Sequence, residues 1–388
     1  MQKKFVPLAL GGLAIGTTEF VIMGLLPDVA TSLQIDIPTA GHLISSYALG
    51  VVIGAPVLVA LSGKYPPKKV LMALMVLFTI FNGLSALSPS YYTLLFARFF
   101  SGLPHGAFFG IGTVVAVKLA QEGKQAQAIA AMFSGLTIAN LAMVPLVTYL
   151  GHNFGWRLAF GIVAILGMLC ILFLKLWLPD VEKQHSVGIR EQLHFFKTKK
   201  AWNIIGITAI GFGGLFAWFS YIAPLLTSIS GFRESSISYI MVLAGAGMVV
   251  GNYLGGILAD KIKPIFATMI LLLSMVLALV AVFLFSGNPY ISLVLTFVCG
   301  ALSMSVGSPI NIIMLRAAEG SEMLAAAVVQ AAFNIANSLG AFFGGIPLVY
   351  GLSYNYPSLV GAGMAIIGFS LAFVFYNIFE KNRISKKE

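Results

Sequence analysis

The sequence predicts an all-α integral membrane protein: twelve transmembrane helices in two pseudo-symmetric six-helix bundles. Three observations carry that prediction. Of the 388 residues, 59% are hydrophobic and only 9% charged, against roughly 25% charged in ordinary soluble domains. A soluble chain of this length has no way to hide so much apolar surface, so the bilayer is its solvent. The chain also repeats itself at one fixed offset of 197 residues. Pro27 recurs as Pro224, Gly50 as Gly247 and Gly54 as Gly251, while Leu61, Lys64 and Pro67 recur as Leu258, Lys261 and Pro264. The triplet Ile138-Ala139-Asn140 returns intact as Ile335-Ala336-Asn337. Such a repeat decides architecture before any local motif does. Finally, the basic residues are sorted by side, as a membrane topology requires.

A spanning helix needs about 20 apolar residues, and polar punctuation delimits twelve such segments. The first, near 6–29, follows Lys3 and Lys4 and ends at Asp28. The second, 41–62, closes on Lys64, Lys68 and Lys69, after which come 70–88 and 92–117. Lys118 and Lys124 separate these from 126–150, and Arg157 opens 156–178. Beyond a polar stretch lie 202–229 and, past Arg233, 236–259. Lys261 and Lys263 precede 265–286 and 290–315, Arg316 precedes 323–349, and the last span is 356–379. Barrel strands would be short and alternating; these runs are long and continuous. Lys3 and Lys4 before an apolar run imitate a signal peptide, but the run is too long, carries Glu19 and lacks a small-residue cleavage site. It is the first retained span.

The net charge of +10 would point a soluble chain toward nucleic acid. Its placement rejects that. Of the 23 basic residues, 20 fall at the termini, in the loops from even to odd spans, or in the central stretch. Only Arg157 and Arg233 lie on the other side, and Arg98 lies within a span. The positive-inside rule therefore places both termini in the cytoplasm. Residues 1–179 form the first bundle, 180–200 a cytoplasmic linker and 201–388 the second bundle. In the linker, Ile189, Leu193 and Phe196 would share one helical face, giving either a surface amphipathic helix or a flexible connector. Six spans per half give both halves the same orientation, the parallel-repeat case found among transporters. Cys170 and Cys299 fall inside spans without disulfide or metal spacing.

Several stretches carry a family resemblance. They are Thr18-Glu19-Phe20 through Gly24-Leu25-Leu26-Pro27, Ala40-Gly41-His42, Tyr47-Ala48-Leu49-Gly50 and Gly54-Ala55-Pro56. Ser101-Gly102-Leu103-Pro104-His105-Gly106-Ala107-Phe108-Phe109-Gly110 and Phe216-Ala217-Trp218-Phe219-Ser220-Tyr221 extend it. Together they resemble the twelve-spanning drug/proton antiporter branch of the major facilitator superfamily, and within it the arabinose efflux permease group. The resemblance covers essentially the whole chain. It implies the major facilitator fold, a bacterial cytoplasmic membrane, and a secondary exporter working by alternating access. It also implies small-molecule substrate, protons and lipids as partners, a monomer, and no cofactor beyond a proton gradient. The group's label says nothing of cargo.

The family's signatures are partly kept. The acid and glycine expected after the second span are replaced by Gly63 and Pro66, whereas the second half keeps Asp260 and Lys261. By resemblance, Asp260 caps a neighbouring helix and latches the cytoplasmic gate near Lys124 and Gln125. The antiporter stretch of the fifth span keeps Gly135 and Pro145 but has Val144, Val147 and Thr148 where small residues are expected. Arg98 and Gly102 preserve the Arg-x-x-x-Gly motif of the fourth span.

Of thirteen acidic residues, only Glu19 lies deep within a span. A charge there costs about 2.5–3.5 kcal/mol and faces a cavity or a partner. Burial favours the neutral carboxyl, which would let Glu19 load and release protons; the alternative is a permanently paired structural acid. Arg98 is its natural partner, about 10 Å inside its span against about 15 Å for Glu19 at 1.5 Å per residue. His105, two turns beyond Arg98, is either a proton relay or a packing residue. Asn140 and Asn337 occupy equivalent positions in the two repeats. Gln330, Asn334 and Asn337 share a helical face, and Tyr47, Trp218 and Tyr221 supply aromatic walls. Such a lining suits sugars, nucleosides or hydrophobic drugs; the alternative is interhelical hydrogen bonding, the reading left open for Asn311. The paired Gly-x-x-x-Gly motifs, Gly50/Gly54 and Gly247/Gly251, mostly report close helix packing, and their duplication supports moving helix contacts where the halves meet. No Gly-x-x-x-x-Gly-Lys-Ser/Thr loop is present, so the chain has no ATP motor. A facilitator of the same fold is the main competing reading. A membrane enzyme would need a convergent catalytic cluster that the sequence does not offer.

Overall fold

The structure, a computed structural model, describes residues 3–62, 65–122, 125–181, 198–317 and 322–381. Among these are twelve helices long and apolar enough to cross a membrane, and no strand. They are α1 (Lys3–Gly24), α2 (Ile37–Val59), α3 (Pro67–Leu87), α4 (Tyr91–Leu119), α5 (Ala128–Phe154) and α6 (Trp156–Trp177). The second set is α7 (Lys199–Ser228), α8 (Glu234–Ala259), α9 (Pro264–Phe285), α10 (Pro289–Met314), α11 (Val328–Val349) and α12 (Tyr356–Glu380). Each matches an expected span to within a few residues at most ends. Two compact units result: Met1–Val187 with Glu234–Val242, and Gly188–Arg233 with Leu243–Glu388. The linker residues Ile189, Leu193 and Phe196 lie outside the described residues, as do Gly63, Lys64 and Lys124.

One departure concerns α1. The expected span 6–29 stops at Gly24, and Leu25 leaves helical geometry (φ −107°, ψ 11°) before a short helix, Leu26–Leu33, resumes. Pro27 is the cause, because a proline two residues on has no N–H to continue the ladder. The repeat does the same. Tyr221 (φ −115°, ψ 21°) interrupts α7 three residues before Pro224, within one residue of the equivalent position.

In the first unit α2 packs on α4, α3 on α6, and α1 on α5 and α6. Glycines set the closest of these approaches. A Cβ on Gly50 would strike the Phe99 carbonyl, one on Gly54 the Leu103 backbone, and one on Gly102 the Tyr47 carbonyl. The second unit repeats the arrangement: Gly247 abuts Phe297 and Gly251 abuts Ala301 of α10. The duplicated Gly-x-x-x-Gly pairs therefore pack α2 on α4 and α8 on α10 inside each unit. That is the close helix packing the spacing reports; small residues let neighbouring backbones close up wherever the helices cross.

A second departure lies in α5. Over Ala139–Met143 the helix widens to a π turn, with the Val144 N–H bonded to the Ala139 carbonyl. Pro145 explains it, since its ring would clash with the carbonyl four residues back. The bulge carries Asn140. It packs against α1, where a Cβ on Gly16 would come 2.9 Å from the Ala139 Cβ. Bulges of this kind recur at functional positions.

Candidate functional site

The first unit encloses a buried polar cluster built from four helices. Arg98 of α4 is fully buried. Its Nη1 donates to Thr18 Oγ1 of α1 at 2.9 Å. A guanidinium only donates, so the Thr18 hydroxyl must pass its own proton onward. It donates to Asn82 Oδ1 of α3 at 2.6 Å, and Asn82 Nδ2 donates to the Phe78 carbonyl at 2.9 Å. The result is a directed chain, Arg98 to Thr18 to Asn82 to backbone, all of whose side chains are buried.

On its other face the Arg98 guanidinium lies 4.3 Å from the ring centroid of Tyr47 of α2, with the ring of Phe160 of α6 at 5.5 Å. A desolvated cation over an aromatic face gains about 2 kcal/mol. The Tyr47 hydroxyl in turn meets His105 Nδ1 at 3.1 Å. The His105 ring leans on Phe109, which stacks on Phe133. Glu19, 7% exposed, sits one residue from Thr18 and acts electrostatically on both Arg98 and Tyr47. Arg98 Nε and Nη2 make no hydrogen bond. A buried cation so incompletely bonded depends on a nearby counter-charge, and Glu19 is the acid that the described electrostatics supply.

Glu19, Arg98 and His105 thus belong to one connected group. Tyr47, expected as a cavity wall, is fully buried and joins Arg98 to His105. Sequence reasoning missed Thr18 and Asn82 as members. Asn82 carried a signal: it is the only amide in α3.

Among the described residues the second unit has no counterpart of this cluster. At the repeat offset Thr18, Glu19, Tyr47 and Asn82 become Leu215, Phe216, Ala244 and Leu279. Arg98 and His105 become Leu295 and Leu302; α10 packs one residue out of step, which makes Thr296 and Ser303 the alternatives. No choice restores a charge. What the second unit keeps is amides. Asn334 donates to the Gln330 carbonyl at 3.0 Å, but its Oδ1 and both polar atoms of Asn337 are buried without a hydrogen bond. Trp218 and Tyr221 are buried, and the Tyr221 hydroxyl donates to the Ala341 carbonyl at 2.7 Å, tying α7 to α11. Asn311 turns back to the Gly307 carbonyl of its own helix at 2.7 Å. Lys261 is exposed at the end of its helix. The side chains of Asp260 and Gln125, named for the gate latch, lie outside the described ones.

A multi-spanning helical protein of two six-helix repeats, with a buried acid–base cluster in one of them, has the architecture of a membrane carrier. The family follows from comparison: the chain matches the Major Facilitator Superfamily over residues 8–345 and belongs to it. It is 41% identical over 370 residues to the putative transporter AraJ of Escherichia coli, covering 95% of this chain and 94% of that one. It is 39% identical to the inner membrane transport protein YdhP of the same species over 95% and 94%. It is 27% identical to a probable sugar efflux transporter of Helicobacter pylori over 96% and 95%. The structure of a bacterial homologue of the lysosomal transporter Spinster has the same fold, with a TM-score of 0.76, 16% identity and 97% of each chain covered. The family and these relatives are transporters rather than enzymes.

Proposed function

We propose that this transporter exports a small uncharged or weakly charged organic solute in exchange for protons, with Glu19 carrying the proton. The observation that supports it is the buried Glu19 within electrostatic reach of an incompletely bonded Arg98. Burial works against the carboxylate, and the guanidinium works for it. A balance of that kind lets one proton be taken up and given back. Loading Glu19 removes the charge that Arg98 leans on, and the rearrangement this favours is the step coupled to helix movement. Arg98 then assists unloading. His105 reaches the group through Tyr47 and tunes it.

The amides Asn140, Gln330, Asn334 and Asn337 are proposed to bind the solute, since the buried unpaired groups of Asn334 and Asn337 recover hydrogen bonds from a ligand's hydroxyls. Export as the direction is consistent with the relative described as a sugar efflux transporter. The proposed setting is a bacterial inner membrane with both termini cytoplasmic and the chain acting as a monomer. Asp260 and Lys261 are proposed gate residues.

The test is transport in proteoliposomes with and without an imposed pH gradient, using a panel of sugars, nucleosides and apolar drugs. Uptake into acid-loaded vesicles that disappears when the gradient is collapsed supports the exchange. A facilitator is the second reading, favoured by Val144, Val147 and Thr148 in α5. There Thr148 fills the space beside Gly24 of α1, its Cγ2 2.8 Å from where a Cβ would stand. Equilibration that ignores the pH gradient selects it.

A further inference from the structure

We propose that the Asp28–His152 contact is a pH-operated latch. It fastens the short helix Leu26–Leu33 to the end of α5 while His152 carries a proton, and releases it when the proton leaves. This inference stands apart from the Glu19 mechanism and does not require it.

The short helix is mechanically distinct, because Leu25 breaks it from α1. It is tied down near both ends. At the far end, Arg157 Nη1 donates to Ser32 Oγ at 3.3 Å, while Arg157 Nε and Nη2 hold the Ser88 carbonyl at 3.2 and 2.9 Å. The guanidinium also lies 4.3 Å from the Trp156 ring centroid. Arginine never loses its charge in the physiological range, so that tie is permanent. At the near end the tie is a histidine: His152 Nδ1 lies 3.0 Å from Asp28 Oδ1. Both side chains are about a quarter exposed, at 24% and 25%, so solvent protons reach them.

A second carboxylate sets the direction of the switch. Glu234, in the same compact unit, acts on Asp28 with a like charge. Burial holds the Asp28 carboxyl above its ordinary value, against the His152 hydrogen bond and charge, which lower it; Glu234 adds to the rise. An imidazolium gives Asp28 an opposite charge, and a neutral ring does not, which leaves the like charge of Glu234 unopposed. The other groups on the surrounding elements are Arg157 of α6, Tyr149 of α5, and Asp36 with His42 and Tyr91 beyond the far end. Along α1 the nearest acid is Glu19, nine residues back and buried. None of them acts on Asp28 as His152 does. Histidine is the side chain whose charge ordinarily changes between about pH 5 and 8, so the latch is tested across that range. At the end of the molecule that the positive-inside rule turns outward, it would sense external acid.

Hydrogen exchange on the full-length protein in nanodiscs tests it. A charge-assisted bond exceeds a neutral one by enough to change local opening about fivefold. After correction for intrinsic rates, amides 28–33 should be about fivefold better protected at pH 5.5 than at pH 8.0. In His152→Gln, which keeps a polar side chain but cannot titrate, that difference should vanish. Asp28→Asn should abolish it too, and serves if His152→Gln does not fold. Protection that ignores pH in the wild type, or pH dependence that survives in either variant, overturns the latch.

Discussion

Arg98 Nη1 and Thr18 Oγ1 stand 2.9 Å apart, joining α4 to α1 one residue before Glu19. The bond fixes the height of the guanidinium relative to the carboxyl and forces the Thr18 proton toward Asn82. A pair of charges in a membrane protein is only as useful as its geometry is reproducible. Here a neutral hydroxyl and an amide supply that constraint.

Thr18→Val removes the acceptor of a buried cation, whereas Asn82→Leu only strands a hydroxyl proton. Leaving a charged donor unpaired costs about 1.5–3 kcal/mol, and a neutral one about 1. Thr18→Val should therefore lower the midpoint of thermal unfolding more than Asn82→Leu. The double variant should fall short of the sum, because both act through one chain. Equal and additive losses, measured by fluorescence-monitored melting, would show that the chain is not a unit.

Much of this was legible in the sequence, for identifiable reasons. The span count follows from hydropathy, which depends on composition alone. Glu19, Arg98 and His105 stood out because a charge or imidazole in an apolar span is expensive. Thr18 and Asn82 did not, because a hydroxyl or an amide costs far less in a span than a charge and their partners lie on other helices. The duplicated glycines announced close packing but not the partner: Gly50 and Gly54 meet α4, a relation no single helix encodes. The break at Leu25 was written in Pro27, yet hydropathy runs straight through it.

The glycine contacts give a second prediction, confined to one helix. A methyl on Gly251 would meet the Ala301 carbonyl and come 2.6 Å from its Cα, while a methyl on Gly256 meets nothing within 4 Å. Overpacking costs about 1–3 kcal/mol, and a helix-interior glycine costs about 0.5–1 relative to alanine. Gly251→Ala should lower the melting midpoint and Gly256→Ala should hold or raise it. Indistinguishable melts would place α8 and α10 farther apart than described.

Topology is open to a clean assay because Cys170 and Cys299 are both buried. Single cysteines introduced at Lys69 and Gly287, both exposed, should report opposite sides. Gly287→Cys should react with an impermeant maleimide on intact cells, and Lys69→Cys only after permeabilisation. The reverse pattern would invert the molecule.

Asp36 offers a pH test with a defined sign. Bonds from the Thr39 side chain and from its N–H, the latter to Oδ1 at 2.8 Å at the start of the helix carrying α2, hold the Asp36 carboxyl below the ordinary value, with a smaller pull from His42. A depressed folded value stabilises above the unfolded one, near 3.9, and the gain is lost as pH falls through the folded value. A lost cap costs about 1 kcal/mol. Asp36→Ala should therefore melt earlier than wild type at pH 7, with the gap closing toward pH 3. A gap constant across that range would mean that the carboxylate is not the cap.

The energy-coupling prediction rests on Glu19. Glu19→Gln fixes a neutral side chain where the loaded carboxyl would be and removes the charge that acts on Arg98. The variant should insert and fold, because a buried charge is costly to keep. It should still bind solute and exchange it down a gradient, since the unpaired amides of Asn334 and Asn337 lie in the other unit. A pH gradient should no longer drive accumulation, a loss of at least about tenfold, or 1.4 kcal/mol of coupling. Arg98→Ala should abolish transport or shift its pH optimum, because the carboxylate loses the cation that favours its ionised form. His105→Gln separates tuning from relay: it keeps a polar group near the Tyr47 hydroxyl but carries no proton, so retained coupling assigns His105 to positioning. Glu19→Gln that still concentrates solute when driven by protons would make Glu19 structural and move the coupling site elsewhere.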